Sequence, residues 1–344
     1  MTEAKKPSKL QRAGEVVRQD GVWGFCRRFV EYCYYNPVLV LGRDWSGRQA
    51  ERRHIAAIVK SGLARSLDDL ELDRSRQSDT LFILGGGRTV NDLTADDWRH
   101  IGSCDSVGLN FWLIHDFVPT YYFFEAGNDP AGQRDEVMRK LIDRKADLYR
   151  EVVFVCNHHH WTLRGKGLDD IPAGARANLH LHAPFHFPIT SRMLLKLSLA
   201  LWRPSERGLQ KGGPNRLGSM IHHRGSLSAA VTFGVLAGYR KIVTVGIDLN
   251  DRTYFWEAAP ERYAHLPRPA ADASGGVHFT AVEGAGAPQG LLPIDQFLEL
   301  LDECIFQRLG IELLVSSSKS RLHPRFPIYQ KFAQTEGPAP GHGE

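Results

Sequence analysis

The sequence has few cysteines, and no two of them stand at C-x-x-C spacing. The five cysteines (Cys26, Cys33, Cys104, Cys156 and Cys304) are odd in number and scattered over 344 residues, which argues against a disulfide scaffold and a structural zinc site. Long apolar runs are also missing. None approaches the roughly 20 residues needed to cross a bilayer, and the N-terminus lacks the apolar core of a signal peptide. We therefore expect a cytoplasmic protein.

Strong charge of either sign is absent, and the existing charge is unevenly placed. A net charge of +4 with 42% hydrophobic residues is typical of a soluble globular protein. Residues 1–53 carry eleven Lys or Arg against six Asp or Glu. No zinc finger, RNP-type motif or long basic helix accompanies this basic excess, so we expect no nucleic-acid partner.

Aromatic and basic residues occur together in residues 10–41. This mixture suits a helix in a membrane interface, with rings at headgroup level and guanidinium groups on anionic lipid. A helix packed on the main domain, with solvated arginines, is the alternative. A second helical pattern lies within residues 48–76. The sequence thus predicts an N-terminal helical segment over residues 1–76.

The stretch from Asp79 to Asp92 has the pattern of a nucleotide loop. Residues 80–84 are apolar or β-branched and indicate a short buried strand, and three glycines (85–87) precede a polar segment that can begin a helix. Glycine permits positive φ and close approach of a ligand, while N–H groups at a helix start attract an anion. Val90 replaces the third glycine of the dinucleotide fingerprint. A tight turn that binds nothing is the alternative.

Strand-like and helix-like segments alternate after this loop, which predicts a Rossmann-like, mostly parallel α/β sheet with flanking helices over residues 77–335. A breaker-rich loop is expected at 204–220 and a disordered tail at 336–344. Residues 257–291 are irregular, and ligands of open sheets bind beyond the strand ends, so a flexible lid is expected at about 250–290. The predicted strands are 80–84, 105–109, 120–124, 152–156, 242–247 and 311–315, and the predicted helices are 92–100, 132–147, 189–202, 226–238 and 293–309.

Polar residues follow several of these strands. They are Asn110, Glu125, Asn128, Asn157 and Asp248. The carboxyl ends of parallel strands meet at one edge, so we expect these side chains to form a polar site facing the glycine loop. Each one taken alone is more often a turn or cap residue.

Histidines offer candidates for catalysis. The run 158–160 has divergent side chains and no acidic or Cys partner at ligand spacing, so no metal site is expected. His278 follows glycines within the expected lid, and histidine is suited to taking a proton near neutral pH. A surface histidine is the alternative, and His265 competes for the same role.

Several blocks in the same order resemble the bacterial sialyltransferases of the Campylobacter lipooligosaccharide type. They are Phe-Ile-Leu-Gly-Gly-Gly-Arg-Thr-Val (82–90), Ser-Val-Gly-Leu-Asn-Phe (106–111), the block from Gly-Ser-Leu-Ser to Gly-Ile-Asp (225–248) and the later histidine. The resemblance implies a GT-A-like variant of the fold and an inverting, metal-independent transferase without a cofactor. Its donor would be a CMP-activated nonulosonic acid, either sialic acid or a Kdo-like sugar.

The resemblance also implies partners and a place of action. The acceptor would be a glycan or glycolipid of a bacterial surface polysaccharide, lipopolysaccharide or capsule. The protein would then be cytoplasmic, with peripheral contact to the inner membrane through its N-terminus. Whether the protein forms a homo-oligomer is left open.

Carried over position by position, the resemblance makes His278 the general base. The residues implied at the nucleotide are Gly85, Gly86, Gly87, Asn110, Ser226, Asp248 and Asn250, and those implied at the sugar or leaving phosphate are Arg224, Tyr254, Trp256 and Asn128. The chain departs from the family pattern at Gly86, where the family has asparagine. Asn250 and Trp256 stand near two family tyrosines that hold the phosphate. Tyr254 or Tyr263 can supply one hydroxyl.

Two other functions fit the same residues. A phosphotransferase of the pterin pyrophosphokinase-like group has a similar Gly-x-Gly and Gly-Ile-Asp arrangement. It would require Mg²⁺ and ATP and would make Asp248 and Asp251 essential. A non-catalytic nucleotide-binding protein fits the departures at the phosphate positions.

Overall fold

The computed structural model describes residues 37–125, 133–157, 171, 173–186, 191–202, 217–270, 276–282 and 291–333. The chain divides into two compact units, Met1–Ser46 and Gly47–Glu344. The second unit begins earlier than the boundary predicted after residue 76. The reason is that Ile55 packs in its hydrophobic core and Asp68 accepts a hydrogen bond from the backbone of Gly218.

The strands are β1 (Arg65–Ser66), β2 (Thr80–Leu84), β3 (Asp105–Leu109), β4 (Tyr121–Glu125), β5 (Val153–Asn157), β6 (Leu179–His182), β7 (Phe185–His186), β8 (Ile221–His222), β9 (Lys241–Val245) and β10 (Glu312–Val315). The α-helices are α1 (Pro37–Lys60), α2 (Leu72–Ser75), α3 (Ala95–Gly102), α4 (Gln133–Lys145), α5 (Ala173–Arg176), α6 (Arg192–Trp202), α7 (Ser226–Leu236), α8 (Phe255–Ala258), α9 (Ile294–Leu301), α10 (Gln307–Leu309) and α11 (Gln330–Ala333). None of the helices within the described residues is both long enough and apolar enough to cross a membrane.

Eight strands form one parallel sheet in the order β1-β6-β5-β4-β3-β2-β9-β10. This arrangement confirms the predicted Rossmann-like α/β fold. The chain moves outward from β2 to β6 on one side and then adds β9 and β10 on the other. The direction of winding therefore reverses between β2 and β9, and such a reversal opens a crevice at the carboxyl ends of the strands.

The sheet is buried on both faces, as expected for parallel strands covered by helices. All five residues of β2 are buried. Leu81 and Ile83 point into one hydrophobic cluster, and Phe82 and Leu84 point into another. Helix α7 lies in the first cluster, and all eleven of its residues are buried.

Predicted and observed elements differ mainly at their ends. The helix predicted at 92–100 begins later because Thr94 and Asp97 form a capping box, and residues Arg88–Asp92 form a 3₁₀ turn instead. The helix predicted at 293–309 is present but contains a π-helical turn at Asp302–Phe306. Most of the loop predicted at 204–220 and the tail at 336–344 lie outside the described residues.

Candidate functional site

A cavity of about 450 Å³ lies where the winding of the sheet reverses. The predicted site residues that line it are Gly85, Gly86, Gly87, Asn110, Arg224, Ser226, Asp248, Tyr254, Trp256 and His278. They come from the loops after β2, β3 and β9 and from the start of α7. The structure thus brings together residues that are far apart in the sequence.

Other predicted residues do not line this cavity. The exposed Asn250 donates its amide to the backbone oxygen of Lys319 at 2.8 Å, so it braces the loop after β9. Asn157 is buried, and its Oδ1 contacts Nε2 of His182. Tyr263 is buried away from the cavity, and His265 is exposed outside it. Asn128 and residues 158–160 lie outside the described residues.

The glycine segment is needed for close packing. A Cβ on Gly85 would lie 2.3 Å from Cδ1 of Ile247, and one on Gly87 would lie 2.5 Å from Oδ2 of Asp248. Neither residue has a positive φ. The N–H groups of Gly85 and Gly87 donate to the backbone oxygens of Val245 and Gly246, both at 2.8 Å. These two N–H groups therefore already have partners within the fold.

Asp248 links the loop after β9, to which it belongs, with the loop after β2. Both of its carboxylate oxygens accept hydrogen bonds from Thr89, one from the hydroxyl and one from the N–H. The side chain is buried, and burial raises the pKa of Asp248 above its ordinary value, while the Thr89 bonds oppose the rise. This arrangement gives Asp248 a structural role at the edge of the cavity.

A hydrogen-bonded polar network forms another part of the cavity lining. Oε1 of Glu125 accepts a bond from Ser226 Oγ at 2.8 Å and lies 3.1 Å from Nε2 of His222. Asn110 donates to Ser226 Oγ at 3.3 Å. The strand-end pattern had pointed to Glu125, but nothing in the sequence around His222 identified it, because it lies on the two-residue strand β8.

Three non-glycine residues with positive φ line the cavity. They are Asn110 (φ 49°), Arg224 (φ 59°) and Leu249 (φ 59°). Non-glycine residues in this region are uncommon and concentrate at ligand sites. Local backbone strain thus coincides with the cavity.

Arg224 has a different role from the one expected. Its guanidinium donates to the backbone oxygen of Phe279 at 2.7 Å and to that of Leu291 at 3.5 Å. The side chain therefore anchors the turn that carries His278, in addition to bringing positive charge to the cavity.

Helix α7 begins at the cavity. Ser226 is its first residue, and the preceding Gly225 has φ 146° and provides no side-chain cap. The N–H groups in the first turn of a helix have no intrahelical acceptor, and the helix dipole favours an anion there. The start of α7 is thus the part of the site best suited to a phosphate or carboxylate.

His278 lies on the wall formed by the segment after β9. Its N–H donates to the backbone oxygen of Leu249 at 2.7 Å, and its Nδ1 lies 2.8 Å from Oγ1 of Thr280. These bonds fix both the backbone and the orientation of the ring. Nε2, on the opposite side of the ring, is the nitrogen that can exchange a proton with a substrate.

Two stacked aromatic rings cover Gly86. The ring centroids of Tyr254 and Trp256 are 4.4 Å apart with an interplanar angle of 6°. A Cβ on Gly86 would lie 2.9 Å from Cδ1 of Tyr254, which explains why asparagine does not occur here. The Tyr254 ring occupies the space that an asparagine side chain at this position would need.

Among the residues described, His, Cys, Asp and Glu side chains form no group of three or more that is placed to hold a metal ion. No family model, curated protein or solved structure matches this chain.

Proposed function

We propose that the protein is a glycosyltransferase that uses a CMP-activated nonulosonic acid and extends a bacterial surface glycan. The main observation behind the proposal is that the sequence blocks with the sialyltransferase resemblance meet at one cavity. Asn110, Ser226 and His278 come from three separate blocks, and all three line one cavity at the reversal of the sheet. A nucleotide site at this position is the rule for open α/β sheets.

The donor has two anionic groups, a phosphate and a sugar carboxylate. The first turn of α7 attracts one of them. Ser226, whose hydroxyl donates to Glu125, and Asn110, whose amide donates to Ser226, lie beside it. This arrangement supports binding of the donor without requiring a metal ion.

Transfer follows from the position of His278. Nε2 removes the proton of an acceptor hydroxyl while that oxygen forms a bond to C2 of the donor sugar. The bond from C2 to the phosphate oxygen breaks, and CMP leaves with the electron pair. Attack from the side opposite the phosphate inverts the anomeric carbon.

The phosphotransferase alternative depends on Asp248 as a metal ligand. Both oxygens of this carboxylate already accept bonds from Thr89. Losing these bonds would leave buried donors without a partner, which costs about 1–3 kcal/mol each. The Thr89 bonds therefore oppose a rearrangement of Asp248 to hold a metal ion.

Thermal unfolding with CMP or ATP, each with EDTA or with Mg²⁺, tests the proposal. A ligand at 100 times its Kd stabilises the folded state by about 2.7 kcal/mol. We expect CMP to raise the Tm in EDTA and CMP-sialic acid or CMP-Kdo to be turned over. Stabilisation only by ATP with Mg²⁺ would contradict the proposal and favour the phosphotransferase.

The predicted membrane contact has a separate test. Residues 1–36 lie outside the described part of the chain. We expect the full chain to sediment with anionic vesicles and a variant without residues 1–36 to remain in the supernatant. Equal binding of both forms would exclude an N-terminal membrane contact.

A further inference from the structure

Glu125, the last residue of β4, lines the cavity at the start of α7. Its Oε1 accepts a hydrogen bond at 2.8 Å from Oγ of Ser226, the first residue of that helix, and lies 3.1 Å from Nε2 of His222. The side chain of Glu125 is 21% exposed. A carboxylate is therefore placed beside the helix start at which we expect an anionic group of the ligand.

The hydrogen bonds from Asn110 and Ser226 run toward this carboxylate. The amide of Asn110 donates to Ser226 Oγ at 3.3 Å, and the Ser226 hydroxyl donates in turn to Glu125. An ionised carboxylate can only accept hydrogen bonds, and it repels other anions. The part of a ligand that faces Glu125 must therefore carry an O–H or N–H group, while the anionic group faces the N–H groups of α7.

Two other carboxylates of the cavity have different surroundings. Both oxygens of Asp248 accept bonds from Thr89, and Asp251 forms an ion pair with Arg88 at 3.1 Å. These contacts connect the loop after β2 with the loop after β9. Glu125 contacts the first residue of α7 instead, which places it beside the expected anion.

A nucleotide has the matching arrangement of groups. The ribose carries two hydroxyls close to the 5′-phosphate, whereas the polar edge of the base lies farther away. In dinucleotide-binding sheets the phosphates likewise bind at a helix start, and a carboxylate accepts a hydrogen bond from the ribose. Leu109, which precedes Asn110, and Leu227, which follows Ser226, add apolar walls to the same cavity. A carboxylate set between apolar walls suits a sugar with few polar groups at one edge.

We propose that Glu125 accepts a hydrogen bond from a ribose hydroxyl of the bound nucleotide, whose phosphate lies at the start of α7. This inference rests on the proposed function, because it identifies a residue that recognises the nucleotide part of the donor. The contacts with Ser226 and His222 fix the carboxylate in place. Glu125 thereby selects ribonucleotides over deoxyribonucleotides and determines which end of the nucleotide faces β4.

Isothermal titration in EDTA with CMP and with 2′,3′-dideoxy-CMP, which lacks both hydroxyls, tests this contact. Wild-type protein should bind the dideoxy form about tenfold more weakly, because it loses a hydrogen bond to a charged group. Glu125→Met has no comparable acceptor and should bind both forms with nearly equal affinity. Glu125→Gln keeps a weaker acceptor and should give an intermediate ratio. The ratio of the two Kd values is the readout, since a general loss of packing would weaken both forms alike.

Glu136→Gln provides the matched control, because Glu136 is exposed on α4 and does not line the cavity. It should keep the wild-type ratio. If Glu125→Met fails to fold, Glu125→Gln alone decides the test. Equal affinity for both forms in wild type, or a wild-type ratio in a folded Glu125 variant, would overturn the proposal.

The same titration with AMP, GMP and UMP and their 2′,3′-dideoxy forms separates this inference from the proposed function. Binding of CMP without a preference for the ribose form would retain the proposed donor and overturn the role of Glu125. A Glu125-dependent preference for the ribose form of another nucleotide, without binding of CMP, would support that role and exclude the proposed donor. No binding of any of the four ribonucleotides would overturn both.

Discussion

Nδ1 of His278 lies 2.8 Å from Oγ1 of Thr280, whereas the Thr280 N–H is 3.4 Å from the same nitrogen. The Thr280 N–H can only donate to Nδ1, and the hydroxyl, which is the closer group, also bonds to this nitrogen. Thr280 therefore fixes the orientation of the His278 ring, with Nε2 on its opposite edge.

Thr280→Val is expected to reduce kcat about three- to tenfold, because it removes one hydrogen bond that fixes the His278 ring. The KM of the donor should change little, and the pH profile of kcat should shift. Thr280→Ser keeps the hydroxyl and should retain most activity. Wild-type activity in Thr280→Val would show that the hydroxyl does not contribute.

His278→Ala is expected to reduce transfer by about 10²–10⁴-fold, the usual contribution of a general base. Stabilisation by CMP should be nearly unchanged, because the nucleotide contacts lie at α7 and Asn110. His265→Ala is the control, since His265 is exposed and does not line the cavity. Wild-type transfer by His278→Ala would remove this residue from the mechanism.

Gly85→Ala is expected to destabilise the fold by about 1–3 kcal/mol, the cost of overpacking a rigid site. The new Cβ would lie 2.6 Å from the backbone oxygen of Gly246, which cannot move as a side chain does. Gly174→Ala is the matched control, because nothing lies within 4 Å of its Cβ position and alanine favours helix α5. Urea unfolding of both variants measures the difference, and equal stability would contradict the close packing.

Glu51 on α1 predicts a dependence of stability on pH. Its side chain is buried, and burial raises the pKa of Glu51 from 4.5 to about 8, although Arg48 opposes the rise. Between these values the unfolded chain loses the proton while the folded protein keeps it. The free energy of unfolding therefore falls as pH rises, by at most about 1.4 kcal/mol per pH unit.

Glu51→Gln should remove this part of the pH dependence. Urea unfolding near pH 5 and near pH 8 is expected to give a smaller difference for Glu51→Gln than for wild type. The exposed Glu71 provides the control, and Glu71→Gln should retain the wild-type slope. A wild-type slope in Glu51→Gln would show that Glu51 is ionised in the folded state.

Strands could be predicted where the buried positions carry apolar or β-branched residues. Residues 80–84 are apolar throughout, and β2 has those bounds. Strand β6 was missed because it reads Leu-His-Leu-His, and its two histidines are buried with polar partners at Asn178 and Asn157. Polar residues that are satisfied inside a sheet cannot be distinguished from surface residues in a sequence.

The sequence indicated which residues share the site, but it did not indicate the contacts among them. Strand ends and the resemblance indicated Asn110, Ser226 and His278, which line one cavity. The glycines were assigned to ligand binding, yet two of their N–H groups bond to the loop after β9. His222 and Phe279 were missed because their positions depend on a two-residue strand and a 3₁₀ turn, which have no periodic pattern.

Because α7 is completely buried, substitutions in this helix and substitutions at Phe279 have different consequences. A substitution in α7 alters the packing of the interior, so the surface that the helix presents to the cavity can change only together with the core. Phe279, on the 3₁₀ turn beside the start of α7, is exposed and can be replaced at little cost in packing. One scaffold could thus diversify on the Phe279 side while preserving the chemistry at the start of α7.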